Sequence, residues 1–217
     1  MRTFENHHKV YLYIEPLVDG EPDERKRKHI SNLLRFLENY LNITTNQYIR
    51  VKENYESLFK PDNTKRELYY KMNIMFGDIH FMLISIEKAY ALSIRMFEIL
   101  GRIDAANTIR KSEDYKIVKF FRNNLEHMND KLTVEDHKYR ESWYSNDYHT
   151  HWFARQWGGM RGNTIKLGPY SFNIDESSFA FLWDSYDQIF KIITDEYVIP
   201  NKINVDLAFK GHMTPQW

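Results

Sequence analysis

The stretch YYKMNIMFGDIHFMLISIEKAYALSIRMFEILG, residues 69–101, decides the fold. It contains no proline, and its charged residues are few and scattered. Apolar residues fall on most faces of a 3.6-residue helix, the pattern of a helix in the middle of a bundle or at an interface. Gly101 stands just past the last apolar residue, where a C-terminal cap calls for left-handed backbone. Such a helix needs other helices to cover it. The expected fold class is therefore mainly α, a helical bundle.

Further helices are expected on both sides. Upstream, HISNLLRFLENYL (29–41) spaces Ile30, Leu33, Leu34, Phe36, Leu37 and Leu41 near helical intervals, after the solvated charge run ERKRK. A second helix is expected over 46–59, ending before Pro61, which disfavours α geometry in the residue preceding it. Downstream, SEDYKIVKFFRNNLEHMNDKL (112–132) opens on Ser112 as N-cap, with Glu113 and Asp114 in the first turn. Its stripe of Ile117, Phe121, Leu125, Met128 and Leu132 steps by four, four, three and four. A last helix, SSFAFLWDSYDQIFKIITDEYV, starts at an Asp175/Ser177 cap and stops before Pro200.

Between these last two helices the character changes. Residues 143–174 are rich in Trp, Tyr, Gly and His, and NTIKLGPYSFNID reads as a small β-hairpin insertion near residues 163–174, turning at Gly168-Pro169. The expected organisation is an N-terminal helical arm or subdomain over 1–66. A helical bundle over 67–217 follows, carrying the aromatic and glycine-rich insertion 143–174.

Composition narrows the class. At 42% hydrophobic, 217 residues can bury a real core, and 28% charged residues argue against a disordered or membrane-spanning chain. No apolar run reaches the roughly 18 to 20 residues of a membrane span, so no membrane partner is expected. MRTFENHHKV carries no apolar leader segment, and cysteine is absent; a cytoplasmic protein is the expectation. Thirty basic and thirty acidic residues leave a net charge of zero. Any contact with a polyanion then rests on a local patch of aimed side chains.

One cluster stands out. In FFRNNLEHMNDKL (120–132), Arg122, Asn123, Asn124, Glu126 and His127 crowd between the apolar residues of a good helix. Arg and His at a fixed spacing match by chance about 0.5 times in a chain with 13 Arg and 9 His. Requiring Asn after the arginine lowers that to about 0.04 with 17 Asn in the chain. The two asparagines each cost about 0.5 kcal/mol against alanine inside a helix. Local rules broken inside a strong element are where function tends to sit.

A helical bundle with Arg-Asn-x-x-x-His on a core helix resembles the HEPN superfamily, over about residues 68–195 by that motif. The resemblance implies a metal-independent endoribonuclease, without cofactor, acting as a homodimer in a defence or toxin–antitoxin system. Superfamily members that lack activity imply the alternative, a non-catalytic dimerisation or interaction protein, or a nucleotide- or RNA-binding module. Carried over, Arg122 holds the scissile phosphate, His127 handles protons, and Asn123 matches the polar residue that often follows the arginine. Glu126 and Asp78 are the expected supporting residues. Implied partners are RNA, a second copy, and an antitoxin or other protein. Where the toxin branch often has a tyrosine two residues past the histidine, this chain has Asn129.

The residue types suit that chemistry on their own terms. RNA is cleaved by its own 2′-hydroxyl when a base takes the proton and a cation stabilises the phosphate. Histidine titrates near neutrality, and arginine offers a permanent fork of donors matched to phosphate oxygens. Residues five apart on a helix are rotated by about 140°, so Arg122 and His127 flank opposite edges of the apolar stripe. Two chains are the simpler way to bring both to one phosphate.

Other groups are weaker candidates. Asp78 and His80 lie two apart on the long helix and face different directions; His80 reads as a core histidine. His149 and His151, near Asp147, lack a spaced second pair, so no metal site is expected. Arg155, Trp157 and Arg161, within RQWGGMRG, form a loop suited to stacking on a single-stranded base.

Overall fold

The computed structural model describes residues 18, 20–126, 157–161, 163–167 and 170–202, with 157–161 as backbone alone. Helix α1 spans Glu24–Ser57, α2 Lys65–Ile99, α3 Ile103–Lys111 and α4 Glu113–Glu126. Three short strands follow, β1 (Trp157–Arg161), β2 (Thr164–Leu167) and β3 (Tyr170–Asn173), and then α5 (Ala180–Ile193). The mainly helical class and the small hairpin are as expected.

Helix α1 runs unbroken where two helices were expected. The reason is its buried seam. Ile30, Leu34, Leu37, Leu41, Thr44, Tyr48 and Val51 step alternately by four and three without a gap. Thr44 and Thr45, poor helix formers by propensity, return their hydroxyls to Tyr40 and Leu41 carbonyls at 2.8 and 3.1 Å and keep the turn closed. Helix α2 repeats the pattern with Met75, Ile79, Met82, Ile86, Ala89, Ser93 and Met96. A 3.5-residue repeat on both partners is the geometry of coiled-coil packing. The buried residues of α1 join one core with those of α2, α4 and α5, so the helix of the 1–66 segment is part of the bundle.

Local chemistry sets the ends. Asp23 caps α1 by accepting from Arg25 and Lys26 amides. Thr64 and Glu67 form a reciprocal capping box at the start of α2, with bonds of 3.2 and 2.8 Å. Gly101 closes α2 at φ +72°, where its amide bonds Glu98 and that of Arg102 reaches Phe97 at 2.7 Å. That is the cap expected of it. Helix α3 was not foreseen. It is a short connector, and Ser112 ends it and caps α4 by accepting from the Tyr115 amide at 3.3 Å.

The sheet is antiparallel in the order β1-β2-β3, one strand more than the hairpin expected. Ile165, Leu167 and Phe172 point inward from β2 and β3. Phe172 meets Phe121 of α4 at 6.4 Å between ring centroids, and Tyr170 meets Phe120 at 4.5 Å. The β3 edge thus clamps the turn that precedes Arg122. Burying an aromatic side chain of this size is worth about 1.5–3 kcal/mol, so the clamp places that turn firmly.

Candidate functional site

Helix α4 turns Val118, Phe121 and Leu125 into the core and leaves Arg122 half-buried at the edge of the seam. The guanidinium is held on its own helix. Nη1 donates to Asn123 Oδ1 at 2.9 Å. Nε lies 2.9 Å from Glu126 Oε2, yet its N–H is not aimed at that oxygen, and this buried atom completes no hydrogen bond. The contact is an ion pair and not a directed bond. Asn124 is buried and returns its amide to the Phe120 carbonyl at 2.8 Å. The asparagine pair therefore has two separate uses: Asn123 steadies Arg122, and Asn124 satisfies a polar group within the packed face.

Helix α4 runs back along α2. Tyr115 packs edge-on to Tyr90 at 5.6 Å, and this contact sets the relative height of the two helices. Ten residues back along α2 is His80, and ten forward along α4 is Leu125, each about 15 Å away at 1.5 Å per residue. His80 therefore stands level with the turn between Arg122 and Glu126. Electrostatics agree. Burial holds the His80 imidazole below its ordinary value, while the Glu126 carboxylate opposes the shift and the Arg122 guanidinium adds to it. His80 is only partly buried, and its Nε2, shielded from solvent, has no hydrogen-bond partner among the described residues. That departs from a satisfied core histidine.

Asp78 is turned elsewhere. Its carboxylate takes Arg50 Nη2 at 2.9 Å and Asn54 Nδ2 at 2.8 Å, both from α1. Two residues on a helix are about 200° apart, so His80 faces α4 while Asp78 faces α1. Of the expected site, Arg122, Asn123 and Glu126 stand together, and Asp78 ties two other helices. His127 and Arg155 lie outside the described residues, as do His149, His151 and Asp147. Trp157 and Arg161 are the two ends of β1.

A cavity of about 330 Å³ opens between Tyr48, Ile49, Lys52, Glu53, Glu56 and Glu176, and shares no residue with the Arg122 seam. Three carboxylates against one ammonium make it inhospitable to a polyanion. Among the described residues no group of three His, Asp or Glu side chains is placed to hold a metal ion, and no helix is long and apolar enough to cross a membrane.

His80, read from the sequence as a core histidine, is the residue whose neighbourhood the sequence did not show. Its signal was present: a histidine ten residues before Tyr90, on a helix facing the motif. Only the packing of α4 gave that spacing meaning. Comparison with family models, curated proteins and solved structures gives no match.

Proposed function

We propose that the chain is a metal-independent endoribonuclease of the HEPN type that works as a homodimer. One observation carries the reading. Arg122 is steadied by Asn123 and Glu126 beside a histidine, and its Nη2 has no partner among the described residues. A guanidinium oriented in this way matches phosphate oxygens as a fork of donors. Carried over from the motif, His127 supplies proton transfer, and the 2′-hydroxyl of RNA is the nucleophile, so no metal is needed for the step.

Support for a second copy comes from α2. Tyr70, Asn73, Gly77 and Phe81 recur at three- and four-residue intervals on one side of that helix, and Tyr70 and Phe81 are 66% and 61% exposed. A Cβ added at Gly77 would meet nothing within 4 Å, so no packing in the described chain requires a glycine there. Large exposed apolar groups around a small residue suit the close approach of another helix. On this reading RNA and a second copy are the primary partners. A defence or toxin–antitoxin setting with a protein partner is the biological expectation.

The test is cleavage of fluorescent single-stranded RNA in EDTA. Wild type is expected to cut, and Arg122→Ala and His127→Ala each to lose at least about 100-fold in rate, as for loss of a positioned proton-transfer or charge-stabilising group. Cutting that survives both changes removes the site assignment. Binding without cutting, lost in Arg122→Ala, favours the non-catalytic RNA-binding alternative. The ion pair of Arg122 with Glu126 is the observation on that side, since RNA must compete for the guanidinium.

A further inference from the structure

We infer that His80 is a second histidine of the Arg122 site, so that α2 and α4 of a single protomer together hold one RNA phosphate between His80 and Arg122, in competition with the Glu126 carboxylate. The inference rests on the RNA-binding part of the proposed function and extends it.

Three independent observations meet here. The Tyr90–Tyr115 contact sets the register of the antiparallel pair and brings His80 level with Leu125. On α4, Tyr115, Arg122 and Glu126 are seven and four residues apart and share one stripe, which is the stripe facing α2. Among the described residues His80 Nε2 and Arg122 Nε are both shielded from solvent without a completed hydrogen bond, the latter lying in its ion pair with Glu126. A shielded imidazole nitrogen without a partner is costly unless a ligand satisfies it, and Arg122 keeps its Nη2 without a partner among the described residues on the adjoining helix. An anion with several acceptor oxygens is the ligand that serves both at once.

The charges define how the cradle would work. Those acting on His80 are Glu126 and Arg122, both from α4. On its own helix Asp78 is committed to Arg50 and Asn54. Without ligand, burial first and Arg122 second hold the imidazole below its ordinary value. A phosphodiester arriving at Arg122 brings one negative charge, which offsets that of the guanidinium and lifts its effect on the ring, while its oxygens offer Nε2–H an acceptor. His80 then takes one proton from solvent and donates Nε2–H to a phosphate oxygen. Binding of RNA is thereby coupled to uptake of a proton at a residue outside the Arg-Asn-x-x-x-His motif. His80 is a binding and positioning residue, distinct in role from His127.

The experiment uses the full chain with a non-cleavable single-stranded 2′-O-methyl RNA. Histidine side-chain NMR follows the His80 titration, assigned with His80→Asn and His80→Gln. RNA is expected to raise the His80 midpoint by at least about one pH unit, which corresponds to about tenfold weaker binding above the new midpoint than below the old one. Arg122→Ala abolishes the shift, and His80→Asn flattens the pH dependence of binding. On cleavable RNA, His80→Asn raises KM while kcat stays within about threefold, the signature of lost ground-state binding. Absence of RNA binding, a His80 midpoint unmoved by RNA, or a shift that persists in Arg122→Ala overturns the inference. Failure of wild type to cleave overturns only the nuclease reading, because the titration with non-cleavable RNA still decides the role of His80.

Discussion

Tyr186 of α5 donates its phenolic proton to Glu38 Oε1 of α1 at 2.6 Å, at a point where Glu38 is wholly buried. The second carboxyl oxygen, Oε2, has no hydrogen-bond partner among the described residues. Burial pushes the Glu38 carboxyl up to about 7, and the Tyr186 bond only partly offsets it. The core of the bundle therefore holds an acid that is protonated in mildly acidic solution.

The sign of the pH dependence follows. A carboxyl whose folded value lies above its unfolded value near 4.5 binds more protons in the native state between those limits. Its contribution to stability is complete below about pH 4.5 and is lost as pH rises through about 7. Glu38→Gln keeps an acceptor for Tyr186 and removes the titration. It is expected to match wild type near pH 5 and exceed it by up to about 3 kcal/mol at pH 8. Urea unfolding at the two pH values measures this, and equal differences at both would show that folding leaves the Glu38 carboxyl unshifted.

Gly77 provides a test of the dimer. In a free helix face, Gly77→Ala should stabilise the chain by about 1 kcal/mol, since alanine is the better helix former and nothing among the described residues obstructs it. At a close two-helix contact, a larger side chain holds the partners apart. Gly77→Leu is expected to weaken self-association at least about tenfold by light scattering across a concentration series, at a cost of the order of 1–3 kcal/mol for overpacking. A monomer at all micromolar concentrations in the wild type removes the homodimer from the proposal.

The Arg50–Asp78 pair should behave as a helix tie. Asp78 is buried and Arg50 is more than half exposed, so solvent screens the pair. Asp78→Ala also leaves Asn54 without its acceptor. A loss of about 1–2 kcal/mol is expected for Asp78→Ala, and a smaller loss for Arg50→Ala. A double-mutant cycle by thermal or urea unfolding should return a coupling below about 1 kcal/mol.

Gly101 tests the end of α2. A Cβ there meets no atom of the described residues within 4 Å, so the penalty among them is that of the left-handed backbone. Gly101→Ala is expected to cost about 1 kcal/mol, and Gly101→Asn less, in the melting of the full chain. A neutral Gly101→Ala would mean that the cap relaxes to another backbone conformation.

Much of this molecule was legible along the chain. Periodicity alone determined that residues 69–101 form a central helix ending at Gly101, that Ser112 opens another, and that 163–174 turn back as strands. Those features depend on neighbours within a few residues, where propensity and capping act. The unbroken run of α1 through Thr44 and Thr45 was not legible in the same way. Only the matching heptad seam of α2 outweighs the local preference of those residues. The site divides along the same line. Arg122, Asn123 and Glu126 could be read as one group because a single helix turn holds them together. Asp78 was expected as a supporting residue and His80 as a core histidine, and spacing along one helix does not say which neighbouring helix each of them meets. Tertiary packing alone decided that Asp78 pairs with Arg50 and Asn54 of α1 and that His80, some forty residues from Arg122 in sequence, faces the Arg122 helix.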